Sequence, residues 1–255
     1  MMEFPSKAEM IAEGKKMVHE KKSNRKGLRY TMRNKNALTH WKTPETRRII
    51  EEDIELFERL TAHGLLIPTV SHERAGHRVV DSITLMPSWI RRMIKLRGKL
   101  MVECDYAALH PNIASTIFGG SRRAITHEKV AVATGLTKDD VKIEHLSFFN
   151  KPLVQMKVSK LFTYYSEEEP EMMKGILASR DSSGMPYKEK HKATSQALFA
   201  VEVQMMTEVV ARLNAQGIYV LYIYDAVATI AKHHSAVMQT MNDVAEMFSV
   251  NTVAK

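Results

Sequence analysis

The chain has almost no cysteine: one residue, Cys104, among 255. That excludes an internal disulfide and a cysteine-based zinc centre, and it fits a reducing compartment. No apolar run reaches the length of a bilayer span, and no charged leader with a following hydrophobic stretch opens the sequence. A soluble, cytoplasmic protein with no membrane partner is expected. No repeat or low-complexity tract occurs. Acidic residues are scarce in one place only. Residues 1–48 hold 13 Lys and Arg against 5 Asp and Glu, whereas residues 49–255 hold 24 of each. The whole net charge of +8 therefore sits in the first fifth of the chain.

The densest basic stretch, "KKSNRKGLRYTMRNKNALTHWKTPETRR" (Lys21–Arg48), has ten cations, one acid, and Tyr30 and Trp41 interleaved. Basic and aromatic residues together suit a phosphate backbone with stacked bases, so Arg25, Lys26, Arg29, Arg33 and Lys35 are candidate nucleic-acid contacts. A solvated basic arm explains the composition equally well. A second run, "WIRRMIKLRGK" (Trp89–Lys99), carries five cations and no acid. Together the two runs favour a polyanionic partner.

Hydrophobic periodicity predicts a charged helix over residues 7–22. Another is expected from Thr43 as N-cap, with Pro44 in its first turn and Gly64 as its stop. "LLIPTVSH" and "GHRVVDSITL" read as two extended segments, and "MPSWIRRMIKLRG" as a short basic helix. In "KLMVECDY" the period is two, so Glu103 and Asp105 share a face of a strand. "AALHPNIASTIFGG" reads as a helical segment closed by glycines, and residues 121–147 as mostly helical. "KPLVQMKVSKLFTYYSEEE" reads as one helix with Lys157 on its inner side. A long helix over residues 193–215 leads to the clearest β signal, a hairpin "IYVLYIYDAVATIA" with Asp225 at its tip. A last amphipathic helix follows over residues 235–248.

Two apolar β segments thus each deliver one acid at an exposed end, 120 residues apart. A lone aspartate there is ordinarily a turn former or a cap. A convergent pair is what a divalent cation site needs: oxygen ligands hold Mg²⁺, and two such ions can clamp an in-line phosphoryl displacement. Lys157 between them could neutralise phosphate charge. His233–His234 has no third ligand at metal spacing and reads as surface. "SEEEPE" (Ser166–Glu171) reads as a solvated acidic turn.

At this point the order of elements resembles the family A-type nucleic acid polymerases, in their small phage- and plasmid-type forms. "VECDYAALHPNIAS" resembles motif A, which implies Asp105 as metal ligand with the Tyr106 carbonyl as a second contact. "KVSKLFTYY" is similar to motif B, with Lys157 and Tyr165 at the Lys-x7-Tyr spacing. "VLYIYDAVATI" resembles motif C, with Asp225 as the second acid. The segment before motif A makes Arg78, Thr84 and Arg91 candidate template, primer or triphosphate contacts. Glu202 stands in the place of a recurrent acid in the lead into motif C.

The sequence departs from the family at Tyr224, where a histidine is usual. It departs also at Ala226, at Ala107 and Ala108 in place of "SQIE", and at Leu153, where an arginine is expected, with Lys151 or Lys160 as substitutes.

The resemblance implies an α+β fold of right-hand architecture, with an antiparallel palm sheet and helical fingers. It implies four parts. Residues 1–70 are a reduced, basic, thumb-like region; 71–120 are palm with motif A; 121–192 are fingers with motif B; 193–255 are palm with motif C. The implied activity is DNA-directed DNA polymerisation without proofreading, from dNTPs onto a primed template, with two Mg²⁺ ions (Mn²⁺ as a substitute). Asp105, Asp225 and Lys157 would be catalytic, and Tyr165 would stack near the templating base. Three rivals remain: a non-catalytic nucleic-acid-binding scaffold, a primase or RNA polymerase using NTPs, and a metal-dependent nuclease.

Overall fold

Ser6 starts the first helix. In the computed structural model, which describes residues 2–24, 26–33, 47–72 and 76–255, a short strand β1 (Met2–Glu3) precedes α1 (Lys7–His19). The Ser6 hydroxyl accepts from Glu9 N–H and the Glu9 carboxylate accepts from Ser6 N–H, a reciprocal cap. The buried side of α1 is Met10, Gly14 and Met17. A Cβ on Gly14 would lie 2.4 Å from Ile50 Cγ2, so the glycine sets how closely the next long helix approaches.

Strands β2 (Arg29–Thr31) and β3 (Arg47–Ile49) pair in parallel, Arg29 opposite Arg47. The helix expected from Thr43 is therefore corrected: the chain is extended to Ile49, and α2 runs over Ile50–Thr61. Thr43 and Pro44 lie outside the described residues, as do Arg25, Lys35 and Trp41. Helix α2 buries Ile50, Asp53, Ile54, Phe57 and Leu60. Its one buried acid, Asp53, accepts from Trp89 Nε1 at 2.8 Å and from Arg48 Nε at 2.7 Å, which offsets its desolvation.

Two short strands follow, β4 (Thr69–Val70) and β5 (Val79–Val80). Extension ends earlier than "DSITL" suggested. Asp81 caps a single turn, α3 (Ser82–Leu85), its carboxylate accepting from Thr84 N–H while the Thr84 hydroxyl accepts from Asp81 N–H. The basic helix expected over "MPSWIRRMIKLRG" is also one turn, α4 (Ser88–Arg91), after which β6 (Lys95–Leu96) pairs antiparallel with the start of β7 (Lys99–Asp105).

The chain divides into two compact units, residues 1–68 with 80–102 and residues 69–79 with 103–255. In the first unit β1, β6 and the start of β7 are neighbours in that order. The end of β7 belongs to the second unit with the antiparallel hairpin β8 (Leu221–Ile223) and β9 (Ala226–Ile230).

Helices fill the rest of the second unit. After β7 come α5 (Leu109–Ile117), α6 (His127–Thr134), α7 (Lys138–Phe148), α8 (Leu153–Lys157), α9 (Lys160–Glu168) and α10 (Pro170–Ser182). The long α11 (Lys192–Ala215) precedes the hairpin, and α12 (His234–Met247) follows it. Leu198, Met205, Val209 and Leu213 form the buried stripe of α11, near Val237, Met241 and Val244 of α12 in one apolar core. Each such side chain contributes roughly 1.5–3 kcal/mol on burial.

Two differences from the sequence reading bear on function. The helix expected from Lys151 to Glu169 breaks at Ser159, which is extended (φ −83°, ψ 137°) and whose hydroxyl accepts from Leu161 N–H to start α9. The acidic turn at Ser166–Glu171 is instead the junction of α9 and α10. Glu169 is buried there, accepting from Ser121 N–H (2.6 Å) and the Ser121 hydroxyl (2.5 Å).

Candidate active site

Asp105 is the last residue of β7, and Asp225 is the second residue of the two-residue turn between Ile223 and Ala226. Tyr106 N–H points to the Asp225 carbonyl at 3.4 Å, so the main chains that carry the two acids run side by side. Both side chains are half-buried. The flanking geometry is unusual for the residues present. Tyr224 has φ 58° and Ala108 has φ 48°, left-handed values that L side chains adopt at a cost of about 1 kcal/mol or more. The first makes the tight turn that ends in Asp225. The second turns the chain from Asp105 into α5.

A third segment holds Asp105, and no local pattern marks it. Asp105 and Lys255 exchange both backbone hydrogen bonds at 3.0 Å, Ala107 N–H donates to Val253 O at 2.9 Å, and the Thr252 hydroxyl donates to Ala107 O at 2.6 Å. Residues 252–255 therefore run antiparallel beside 105–107. The Tyr106 ring is buried, and its hydroxyl donates to Met241 O. Its functional contribution can come only from the main chain.

Beside this pair lies a buried carboxylate with two partners. Glu202 is 0% exposed in the middle of α11. Arg78 grips it with Nε (2.8 Å) and Nη2 (2.5 Å), and His110 Nε2 donates to the same carboxylate at 2.7 Å. Burial pushes the Glu202 carboxyl up, but the hydrogen bond and charge of His110 and the charge of Arg78 prevail and hold it below its ordinary value. The Arg78 guanidinium lies 3.7 Å above the Phe199 ring and 5.2 Å from that of Tyr224, the residue before Asp225. The loop reaches Phe199 because residue 76 is glycine: a Cβ there would sit 2.1 Å from Phe199 Cβ. Glu202 was marked in the sequence, and a charged residue on the apolar stripe of a long helix is itself a signal for a buried partner. His110 was not marked.

The remaining expected site residues fall in different places. Lys157 ends α8 and is exposed, not turned inward. Tyr165 is 0% exposed in α9, with its hydroxyl 2.6 Å from His145 Nε2. The helix break puts the two on different helices, and the expected stacking of Tyr165 on a base is corrected to a core role. Arg91 is 6% exposed and donates to Ile83 O and Met86 O, and Thr84 is buried in the cap of α3. These two were expected at substrate and serve instead the packing of the first unit. Lys26, Arg29 and Arg33 are exposed, Arg33 pairing with Glu55 at 2.8 Å.

One buried cation was not anticipated. Arg180 of α10 donates to Thr194 Oγ1 (2.8 Å), Phe149 O (3.0 Å) and Lys151 O (3.1 Å), fastening the segment that enters α8. Its burial pulls it down to about 10.

Tyr165 belongs to a chain of buried groups with a measurable consequence. His145 Nδ1 lies 3.1 Å from His127 Nδ1, and burial pulls His145 down to about 3 and His127 to about 4. Lys142 and Lys255 push His127 further the same way. In the unfolded chain both titrate near 6.5. Between about pH 6.5 and pH 4 the unfolded state therefore binds more protons, and stability falls as pH falls, by up to ~1.4 kcal/mol per pH unit for each histidine. Urea unfolding at pH 7.5 and pH 5.0 should show this loss, and His145→Gln should reduce it.

As a donor set, Asp105 and Asp225 carboxylates with the Tyr106 carbonyl are all hard oxygens. Mg²⁺ typically takes one or two carboxylates, several waters and substrate phosphates, so the set fits it. Among the described residues no group of three or more His, Cys, Asp or Glu side chains is arranged to hold a metal alone.

No family model matches the chain, and no curated protein is similar to it in sequence. In three dimensions it is similar to the "POL domain of Pol1 from M. smegmatis complex with DNA primer-template and dNTP", with a TM-score of 0.55 and 10% identity. The alignment covers 80% of this chain and 49% of that one, so the chain spans about half the length of that neighbour. The fold is polymerase-like. No helix among the described residues is long and apolar enough to cross a membrane.

Proposed function

We propose that the chain is a compact template-directed nucleotidyltransferase, a DNA polymerase of family A type. It would add dNTPs to the 3′-hydroxyl of a primer. The observation that carries this reading is the adjacency of the Asp105 and Asp225 main chains, bridged by Tyr106 N–H, within a polymerase-like fold. Asp105, Asp225 and the Tyr106 carbonyl would hold two Mg²⁺ ions, with Mn²⁺ as a substitute. Bound there, the metal supplies activation of the primer hydroxyl and neutralisation of developing charge.

The chain's own groups do the rest. Lys157, exposed at the end of α8, pairs with triphosphate oxygens. Arg78 is pre-aimed by Glu202 and by the face of Phe199, beside the two acids, for contact with an anionic ligand. His110 shares the Glu202 anchor and presents its other ring nitrogen. Lys26 and Arg29 contact the nucleic-acid backbone.

Primer extension on a recessed duplex with Mg²⁺ tests this. The expected result is addition of the nucleotide complementary to the template, and of no other, with dNTPs preferred over NTPs. Preference for NTPs would make the chain an RNA polymerase or primase. Duplex binding without incorporation would leave a non-catalytic scaffold, and degradation of the primer a nuclease.

A further inference from the structure

The second basic run of the first unit sits on a defined backbone element. Arg91 turns inward, but Arg92, Arg97 and Lys99 are exposed. Strands β6 and β7 form a hairpin in which Leu96 faces Lys99, and the two turn residues Arg97 and Gly98 both have left-handed φ, 51° and 74°. That is the backbone of the tight turn that matches strand twist, so the hairpin is stiff. It is also tethered. β1 pairs with β6, Glu3 opposite Lys95, and a Glu3 carboxylate oxygen accepts from Gly98 N–H at 2.8 Å.

Four other cations of this unit are paired: Lys7 with Glu58, Lys22 with Glu20, Arg33 with Glu55, Arg48 with Asp53. Among the described residues Arg92, Lys95, Arg97 and Lys99 have no carboxylate within ion-pair distance. Arg92 also acts electrostatically on Lys22 and on the Tyr30 hydroxyl. The two basic runs, some seventy residues apart in sequence, are thus brought together on one unit.

We infer that the β6–β7 hairpin, with Arg92 at its base, is a rigid phosphate-contacting element that grips the backbone of duplex nucleic acid. A stiff, tethered hairpin with exposed cations at its turn loses little freedom on contact, and a polyanion relieves the repulsion between them. An anionic membrane is the less fitting partner. One apolar side chain, Leu100, is strongly exposed on the hairpin, and surface membrane binding needs an apolar face as well as charge. The identity of the polyanion rests on the function proposed above; the location of the contact does not.

The test is binding of a fluorescent primer–template duplex across a salt series, for the wild type and for the triple variant Arg92→Gln, Arg97→Gln, Lys99→Gln. The double variant Arg92→Gln, Lys99→Gln leaves the turn untouched and guards against a folding defect. Each lost phosphate contact should lower the slope of log K against log salt by about 0.9. The triple variant should therefore lose about two to three units of slope, and affinity about 10–100-fold at 0.1 M salt. An unaltered slope in both variants would overturn the assignment. So would tighter binding of the wild type to phosphatidylserine vesicles than to duplex. Because the readout is binding, a chain that binds in this way but never incorporates would defeat only the polymerase proposal.

Discussion

Asp225→Asn and Asp105→Asn should each reduce the proposed template-directed incorporation by about three orders of magnitude, with little change in melting temperature. The size follows from what is removed. A carboxylate that holds a cation against developing phosphate charge supplies on the order of 4 kcal/mol of transition-state stabilisation, and each 1.36 kcal/mol is a factor of ten. Asparagine keeps the volume and one oxygen but loses the charge. Because the two acids would hold the same pair of ions, the losses should not add: the double variant should be about as inactive as either single one. Single-turnover extension with saturating nucleotide gives the comparison, and circular dichroism checks that each variant is folded. If either variant extends a primer at the wild-type rate, that residue is not a metal ligand.

Glu202→Ala should unfold the second unit far more easily than any surface change. It removes the anchor from both Arg78 and His110 and leaves a guanidinium beside Phe199 in a largely closed site. Breaking a buried pair from one side costs about 3–5 kcal/mol. For a domain of this size that corresponds to a fall in melting temperature of roughly 10 °C. Glu202→Gln retains the shape and part of the hydrogen bonding, so its loss should be smaller. Its more telling effect should be a raised KM for nucleotide or primer, because Arg78 is then held less firmly. Thermal melting and steady-state extension together separate the two. A melting point unchanged in Glu202→Ala would mean that the carboxylate does not bear on stability, contrary to its complete burial.

Much of the frame was legible in the sequence because it is written in local periodicity. The alternation in "KLMVECD" marks β7, and the strand–turn–strand pattern around Asp225 marks the hairpin. The long apolar stripe before Gly217 marks α11. What could not be read were outcomes of competition between local and distant partners. The stripe Leu153, Leu161, Tyr165 is continuous in helical spacing, yet the Ser159 hydroxyl finds a better partner in Leu161 N–H and starts a new helix. That one hydrogen bond separates Lys157 from Tyr165.

Arg91 and Arg92 are adjacent and identical in type. Tertiary partners, among them the carbonyls of Ile83 and Met86, decide that the first turns inward. Asp81 overrode the extended reading of "DSITL" through a cap of the same local kind. The partner of Glu202 was illegible for a different reason. Arg78 is 124 positions away, and nothing in the composition near either residue says that they meet.

The extended segment 252–255, bridged to residues 105–107, bears on the order in which this molecule can assemble. Asp105 is fixed by Asp225, 120 positions later, and by Lys255, 150 positions later. Closing loops of that length costs entropy before any contact repays it, so such pairings come late on the folding path. The helices from α6 to α10, each in contact with near neighbours in sequence, can form while the two acids are still apart. A partly folded chain would therefore resemble the native one by helical content and yet have no site. The carboxylates would be assembled last, when residues 252–255 close beside the end of β7.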